Sequence, residues 1–266
     1  MTSTETTRRE DAHSAQMPST VAGSLAGRIL RRVMHSWPLA TIVALCAGVF
    51  WPVLVGRKSF SVVPSFQTAT YPWASLATDL RYKWPQSDQA ESSYPWSAFI
   101  GRTLREGGIP FWDPHSFGGG SPLFSNGLSA VLYPPQVLLR ATFSAATAHD
   151  LLVILHIFLA GVFTLLLLRR LGVGRLGGTV GAVSWMFGSC AMAWIQLEMM
   201  TPYFALLPLG LYCVDRAVRG RSWTWVVIAG WVLAMQLISG NLLIMWLAFL
   251  TTLVYGGRSG SRRRHR

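Results

Sequence analysis

Residues 151–170 read LLVILHIFLAGVFTLLLLRR, eighteen positions without a formal charge closed by Arg169 and Arg170. At 1.5 Å per residue such a run reaches about 27 Å as a helix, close to the thickness of the bilayer hydrocarbon. A pair of arginines at its end, followed by Arg175, is the usual stop signal of a membrane span. Composition agrees: 51% of the 266 residues are hydrophobic and only 13% are charged, against about a quarter charged in soluble domains. Many of the twelve tryptophans lie near the ends of apolar runs, where amphipathic rings settle at lipid headgroups.

Upstream of this run, residues 38–56 carry no charge over 19 positions, about 28 Å as a helix, and form the expected first span. It starts too far from the N-terminus for a cleaved secretory signal and is read as a retained anchor. Residues 1–23 are polar and small, too poor in apolar side chains to offset the entropy of ordering, and are expected to be a disordered tail. In residues 24–37, Leu25, Ile29 and Val33 recur every four positions opposite Arg28, Arg31 and Arg32, the pattern of a basic interfacial helix.

Downstream, residues 176–197 contain small Gly and Ser residues suited to helix packing, and residues 202–214 carry Pro208 before Asp215 and Arg216. The apolar run 223–255 is too long for one crossing, and Ser239-Gly240-Asn241 divides it. The expected fold is therefore all-α and membrane-integral, with about six transmembrane helices: the first at 38–56 and five within 151–257. A large external loop occupies 57–150 and a basic tail 258–266. Six spans place sixteen of the 23 Lys and Arg on one face with both termini, and the other seven in the loop. The positive-inside rule then puts both termini in the cytoplasm and the chain in the plasma membrane.

The net charge of +12 is distributed between apolar spans instead of on one soluble face, which argues against nucleic acid as a partner and for the lipid bilayer. Cys46, Cys190 and Cys213 all fall in apolar runs, without the close pairing of a zinc site, and read as small buried hydrophobes. His156, inside the second span, reads as a hydrogen-bonded packing residue. Glu198, at the outer end of the third, is either functional or buried against a partner.

The loop holds nine of the fourteen prolines and fifteen aromatic residues, so an ordered ectodomain is expected. Its motifs run in order: Asp88, Pro95-Trp96, Gly107 through Pro110 to Trp112 and Pro114, Gly119 to Pro122, and Tyr133-Pro134-Pro135. In order and spacing these resemble the first external loop of the YfhO-type bacterial membrane proteins of the GT-C glycosyltransferase superfamily. The resemblance extends over roughly residues 38–256 and reaches only the N-terminal portion of that family, whose members continue through more helices. Ser92 stands where the family commonly has Gln. A fragment, a degenerate copy and a short variant all fit that extent.

The resemblance implies transfer of a sugar from a polyprenyl-phosphate carrier to an acceptor outside the cytoplasmic membrane, with Asp88 as the loop carboxylate. Sugar transfer needs a carboxylate to take the acceptor proton or to hold a divalent ion at the departing phosphate, and Asp88 suits either task; as a plain residue it also suits a helix or turn cap. Glu91 and Asp113 could join it at a divalent metal ion. Arg102 and Arg105, three apart beside Phe99, Ile100 and Leu104, suit carrier-phosphate contacts or ordinary headgroup snorkelling. Trp96, Trp112 and His115 could stack on sugar or serve as interface anchors. Gly118 to Gly120 lack a following Lys-Ser or Lys-Thr pair, so a turn is expected there, not a nucleotide loop. The rival to a transferase is a noncatalytic membrane protein, a scaffold or a subunit that works with another membrane chain.

Overall fold

The computed structural model describes residues 23–61, 88–116 and 123–264. The expected tail up to residue 22, loop residues 62–87 and the Gly118–Gly120 turn lie outside the described residues.

Among the described residues the protein is helical throughout, without strands. The helices are α1 (Gly23–Leu54), α2 (Tyr94–Arg105), α3 (Pro134–Thr142), α4 (Ala145–Arg170), α5 (Arg175–Met186), α6 (Ser189–Ala193), α7 (Thr201–Gly220), α8 (Trp223–Ile238) and α9 (Leu242–Arg264). Three stretches are long and apolar enough to cross a membrane: Ser36–Leu54, Ala145–Arg170 and Arg175–Ala193. The other three expected spans are helices in the expected places, but α8 and the apolar part of α9 are shorter and α7 falls below that apolarity.

Sequence and structure differ in several details. The interfacial segment and first span are one continuous helix that passes through Pro38. Proline removes one backbone hydrogen bond and bends a helix without ending it when neighbours support the turn. The second span starts at Ala145 instead of Leu151, because Ser144 accepts a hydrogen bond from the Thr147 N–H at 3.3 Å and caps the helix. The third is interrupted at Phe187-Gly188 and gives way to irregular chain after Ala193. The division at residues 239–241 is observed: Gly240 has φ +146°, and a Cβ there would lie 2.6 Å from the Met199 carbonyl oxygen.

α4 is the hub, packing on α1, α3, α5 and α7, while α7 in turn contacts α8 and α9. The main apolar core joins Ile42, Cys46 and Phe50 of α1 to Val153, Ile157 and Ala160 of α4 and Met186 of α5. Small residues allow this approach: a Cβ on Gly161 would meet the Met186 sulfur at 2.6 Å. Outward faces are apolar, with Val49 and Trp51 on α1 and Val227 and Trp231 on α8 all more than half exposed. In water so much uncovered apolar surface would be an aggregation liability, whereas a bilayer covers it.

Several polar groups inside the bundle find partners within it, while Thr164 Oγ1 and Gln236 Oε1 are buried with none among the described residues. Pro208 lacks the N–H that would serve the Phe204 carbonyl, and the Trp185 indole N–H supplies it at 2.8 Å. Thr41, Thr251 and Thr252 donate to carbonyls four residues back, so their hydroxyls need no partner in lipid. Cys46 and Cys213 are buried as expected, but Cys190 is exposed, because the break after Met186 places it outside the core.

Candidate functional site

The described parts of the loop sit on one end of the bundle through a buried polar cluster centred on Glu198. Four local features assemble it. Tyr133-Pro134-Pro135 starts α3 with prolines where their missing N–H groups are not needed. Gln136 and Arg140, four apart, then share its inward face. On α2 the inward positions are Ser97, Ile100 and Gly101, and a Cβ on Gly101 would lie 2.8 Å from the Arg140 carbonyl oxygen. The Ser144 cap brings His149 into the second turn of α4.

Glu198 precedes α7 and is 2% exposed. Its Oε1 accepts from Arg140 Nη2 at 2.5 Å and from Ser97 Oγ at 2.9 Å, and its Oε2 lies 3.2 Å from His149 Nδ1. A carboxylate only accepts, so Nδ1 carries the ring proton, and Nε2 accepts from Gln89 Nε2 at 3.0 Å. Gln89 also donates to the Gln196 carbonyl at 2.7 Å. Gln136, with its amide oxygen turned to the guanidinium, accepts from Arg140, which also donates to the Ser129 carbonyl at 3.0 Å. Burial alone would push the Glu198 carboxyl up, but Arg140, then His149 and Ser97, more than reverse this and hold it well below the usual carboxylate range. Burial lowers Arg140, against the opposing pull of Glu198. A carboxylate enclosed by this many donors has no face open to an acceptor molecule. Its chemistry is that of a clamp between loop and bundle.

A second link lies deeper. Tyr133 hydroxyl meets His156 Nε2 at 2.8 Å, and His156 Nδ1 donates to the Leu152 carbonyl at 2.7 Å, so the loop's Tyr-Pro-Pro element is tied into α4. The hydrogen-bonded packing role read for His156 matches this geometry. Burial raises the Tyr133 hydroxyl above its ordinary value.

The sequence-derived site residues are placed less uniformly. Asp88 is exposed and immediately precedes the π-helical turn Gln89–Ser93 without a capping hydrogen bond from its side chain. Glu91 is exposed on that turn. Asp113 is 5% exposed and turned onto its own loop, accepting from the His115 N–H at 2.9 Å and from the Ser116 hydroxyl. Among the described residues no three His, Cys, Asp or Glu side chains gather as a metal site, so Asp88, Glu91 and Asp113 do not form a joint one. Arg102 is exposed. Arg105 donates to the carbonyls of Arg140 and Phe143 at 2.8 and 3.1 Å, which ties α2 to the end of α3. Trp96 packs on the cluster of Ile100, Leu123 and Val131. His115 meets Phe99 edge to face at 6.0 Å, and Trp112 is 55% exposed.

The sequence singled out Glu198 as either functional or buried against a partner, and did not point to Arg140, His149 or Gln89. The available signal was the inward i, i+4 pair of Gln136 and Arg140 beside a span that ends in a lone acid.

A second buried carboxylate lies at the other end of α4. Asp215, with a fully buried side chain, accepts from Arg170 Nε at 2.9 Å, Arg219 Nε at 2.7 Å and the Tyr255 hydroxyl at 2.9 Å. Beside it Arg216 lies over the Trp225 ring at 4.5 Å. His149 and Arg170 are twenty-one residues apart on α4, about 32 Å along the axis, close to the thickness of a bilayer's hydrocarbon core.

No family model matches the chain, and neither the curated proteins nor the solved structures give a match.

Proposed function

We propose that the chain is a GT-C-like membrane protein that takes a sugar from a polyprenyl-phosphate carrier and passes it to an acceptor on the loop side. In this reading the loop side is extracytoplasmic, both termini are cytoplasmic, and six helices cross the plasma membrane. The observation that supports it is the setting of Asp88: an exposed carboxylate whose neighbour Gln89 is pinned by His149 and the Gln196 carbonyl. A base on a fixed turn needs little reorganisation to meet an acceptor. The acceptor hydroxyl gives its proton to Asp88, its oxygen bonds to the anomeric carbon, and the carrier phosphate leaves with the electron pair of the broken C–O bond. Arg102, exposed on α2, is the carrier-phosphate contact, whereas Arg105 is engaged with backbone carbonyls. Asp88→Asn in proteoliposomes containing a labelled polyprenyl-phosphate hexose should lower transfer by roughly 100-fold or more. An unchanged rate would sink the reading.

A specific observation favours the second reading, a noncatalytic membrane subunit. Arg105 and Trp96 are used in packing and the loop is clamped as a folding unit. Wild-type protein that transfers no more label than empty liposomes would select it.

A further inference from the structure

Where α1 ends, the chain does not splay into solvent. Gly56 takes φ +71°, its N–H bonds the Val53 carbonyl at 3.0 Å, and the Arg57 N–H reaches back to Pro52 at 2.9 Å. This is the Schellman arrangement that terminates a helix at a left-handed glycine. Lys58 N–H bonds the same Pro52 carbonyl at 3.0 Å. The next residues are tied across to α4, because Asp150 Oδ1 accepts from Ser59 Oγ at 3.1 Å and from the Phe60 N–H at 2.9 Å. Arg57 and Lys58 therefore start from a fixed backbone.

Between this cap and the first turns of α4 lies a cleft of about 470 Å3, a size typical of small-molecule sites. Its lining is layered. Val53, Leu54, Leu151 and Ile154 form the apolar part, on the two helices that are long and apolar enough to span. Arg57, Lys58 and Ser59, just beyond the end of α1, and Thr147 and Asp150, in the first two turns of α4, form the polar part. The N-terminal turn of α4 also faces the cleft through Ala146 and Thr147, and a helix N-terminus favours an anion. Asp150 is the one acid of the lining, and it is engaged with Ser59 and Phe60. Two cations thus stand over an apolar floor that continues into exposed Leu54, Val55 and Trp51.

We infer that this cleft holds the phosphate headgroup of an anionic membrane lipid, with Arg57 and Lys58 on the phosphate and the lipid chains running down over Leu54 and Leu151. A soluble phosphate would gain nothing from the apolar floor, and a neutral headgroup would leave the cationic lip uncompensated. The inference rests on the membrane placement of α1 and α4 and not on any transfer reaction.

The test is native mass spectrometry of the full chain in detergent, titrated with phosphatidylglycerol and, separately, phosphatidylcholine. One phosphatidylglycerol should bind at least tenfold more tightly than phosphatidylcholine. The pair Arg57→Gln and Lys58→Gln should remove that preference. So should Ile154→Trp, which fills the floor and leaves both charges in place. Arg169→Gln, at the far end of α4, should leave it intact. Retention of the preference in either cleft variant would overturn the inference, as would equal displacement of the lipid by inorganic phosphate, which would mark a solute site.

Discussion

Glu198 and Asp215 are both carboxylates buried beside arginine, at opposite ends of the same bundle, yet their surroundings differ in where the counter-charge meets water. Glu198 and Arg140 are each about 3% exposed in their side chains, so both charges are withdrawn from solvent. The partners of Asp215 keep contact with it, with Arg170 at 30% exposure and Arg219 at 49%. The Glu198 cluster also joins segments far apart in sequence, from Gln89 to Glu198, whereas the Asp215 cluster joins helices that already pack along their lengths. A fully desolvated pair is expensive to break and gives specificity of docking; a half-wet one is replaceable. The loop is thus held by an all-or-none clamp and the far end by a tolerant one.

The strongest way to break this contrast is Arg140→Met, which strands Glu198 without its cation. A loss of about 3–5 kcal/mol is expected in denaturant unfolding of the detergent-solubilised protein. Adding Glu198→Leu should recover most of it, since replacing both charges by apolar groups is often neutral. At the other cluster Arg170→Met should cost only about 1–2 kcal/mol, because Arg219 and Tyr255 still satisfy Asp215.

Acidification separates the pair from its neighbours by a third route. The Glu198 carboxyl lies below its ordinary value in the folded protein, so its contribution is complete above the unfolded value of about 4.3 and is lost as pH falls toward the folded one. Between pH 5 and 3.5 that loss should be about 1 kcal/mol, and Glu198→Gln should remove this part of the pH dependence. The smallest effect is expected for Arg219→Ala, about 0.5 kcal/mol or less and shrinking further in high salt, as measured by the same unfolding titration.

What the sequence made legible follows the same physics. The run Leu151–Leu168 and the break at Ser239-Gly240-Asn241 could be read because periodicity, charge and turn chemistry are local. The early start of α4 was hidden, since Ala145–Asp150 is not apolar and only the Ser144 cap extends the helix. Glu198 stood out as an acid at a span end, either functional or buried against a partner, but Arg140 lies 58 residues away and its i, i+4 spacing from Gln136 does not by itself say which acid it meets. For Arg105 and Trp96, residue type fits carrier binding and packing equally; only the carbonyls of Arg140 and Phe143, and the Ile100 cluster, show which contacts are made.

In the proposed topology the loop clamp and the Asp215 cluster lie on opposite faces of a membrane. In a background with Cys46, Cys190 and Cys213 replaced by Ala, single cysteines at exposed Glu106 and at Ser222, beside the Asp215 end, can be probed in intact cells with a membrane-impermeant maleimide. Glu106→Cys should be labelled at once and Ser222→Cys only after permeabilisation. Labelling of both, or of neither, before permeabilisation would contradict it.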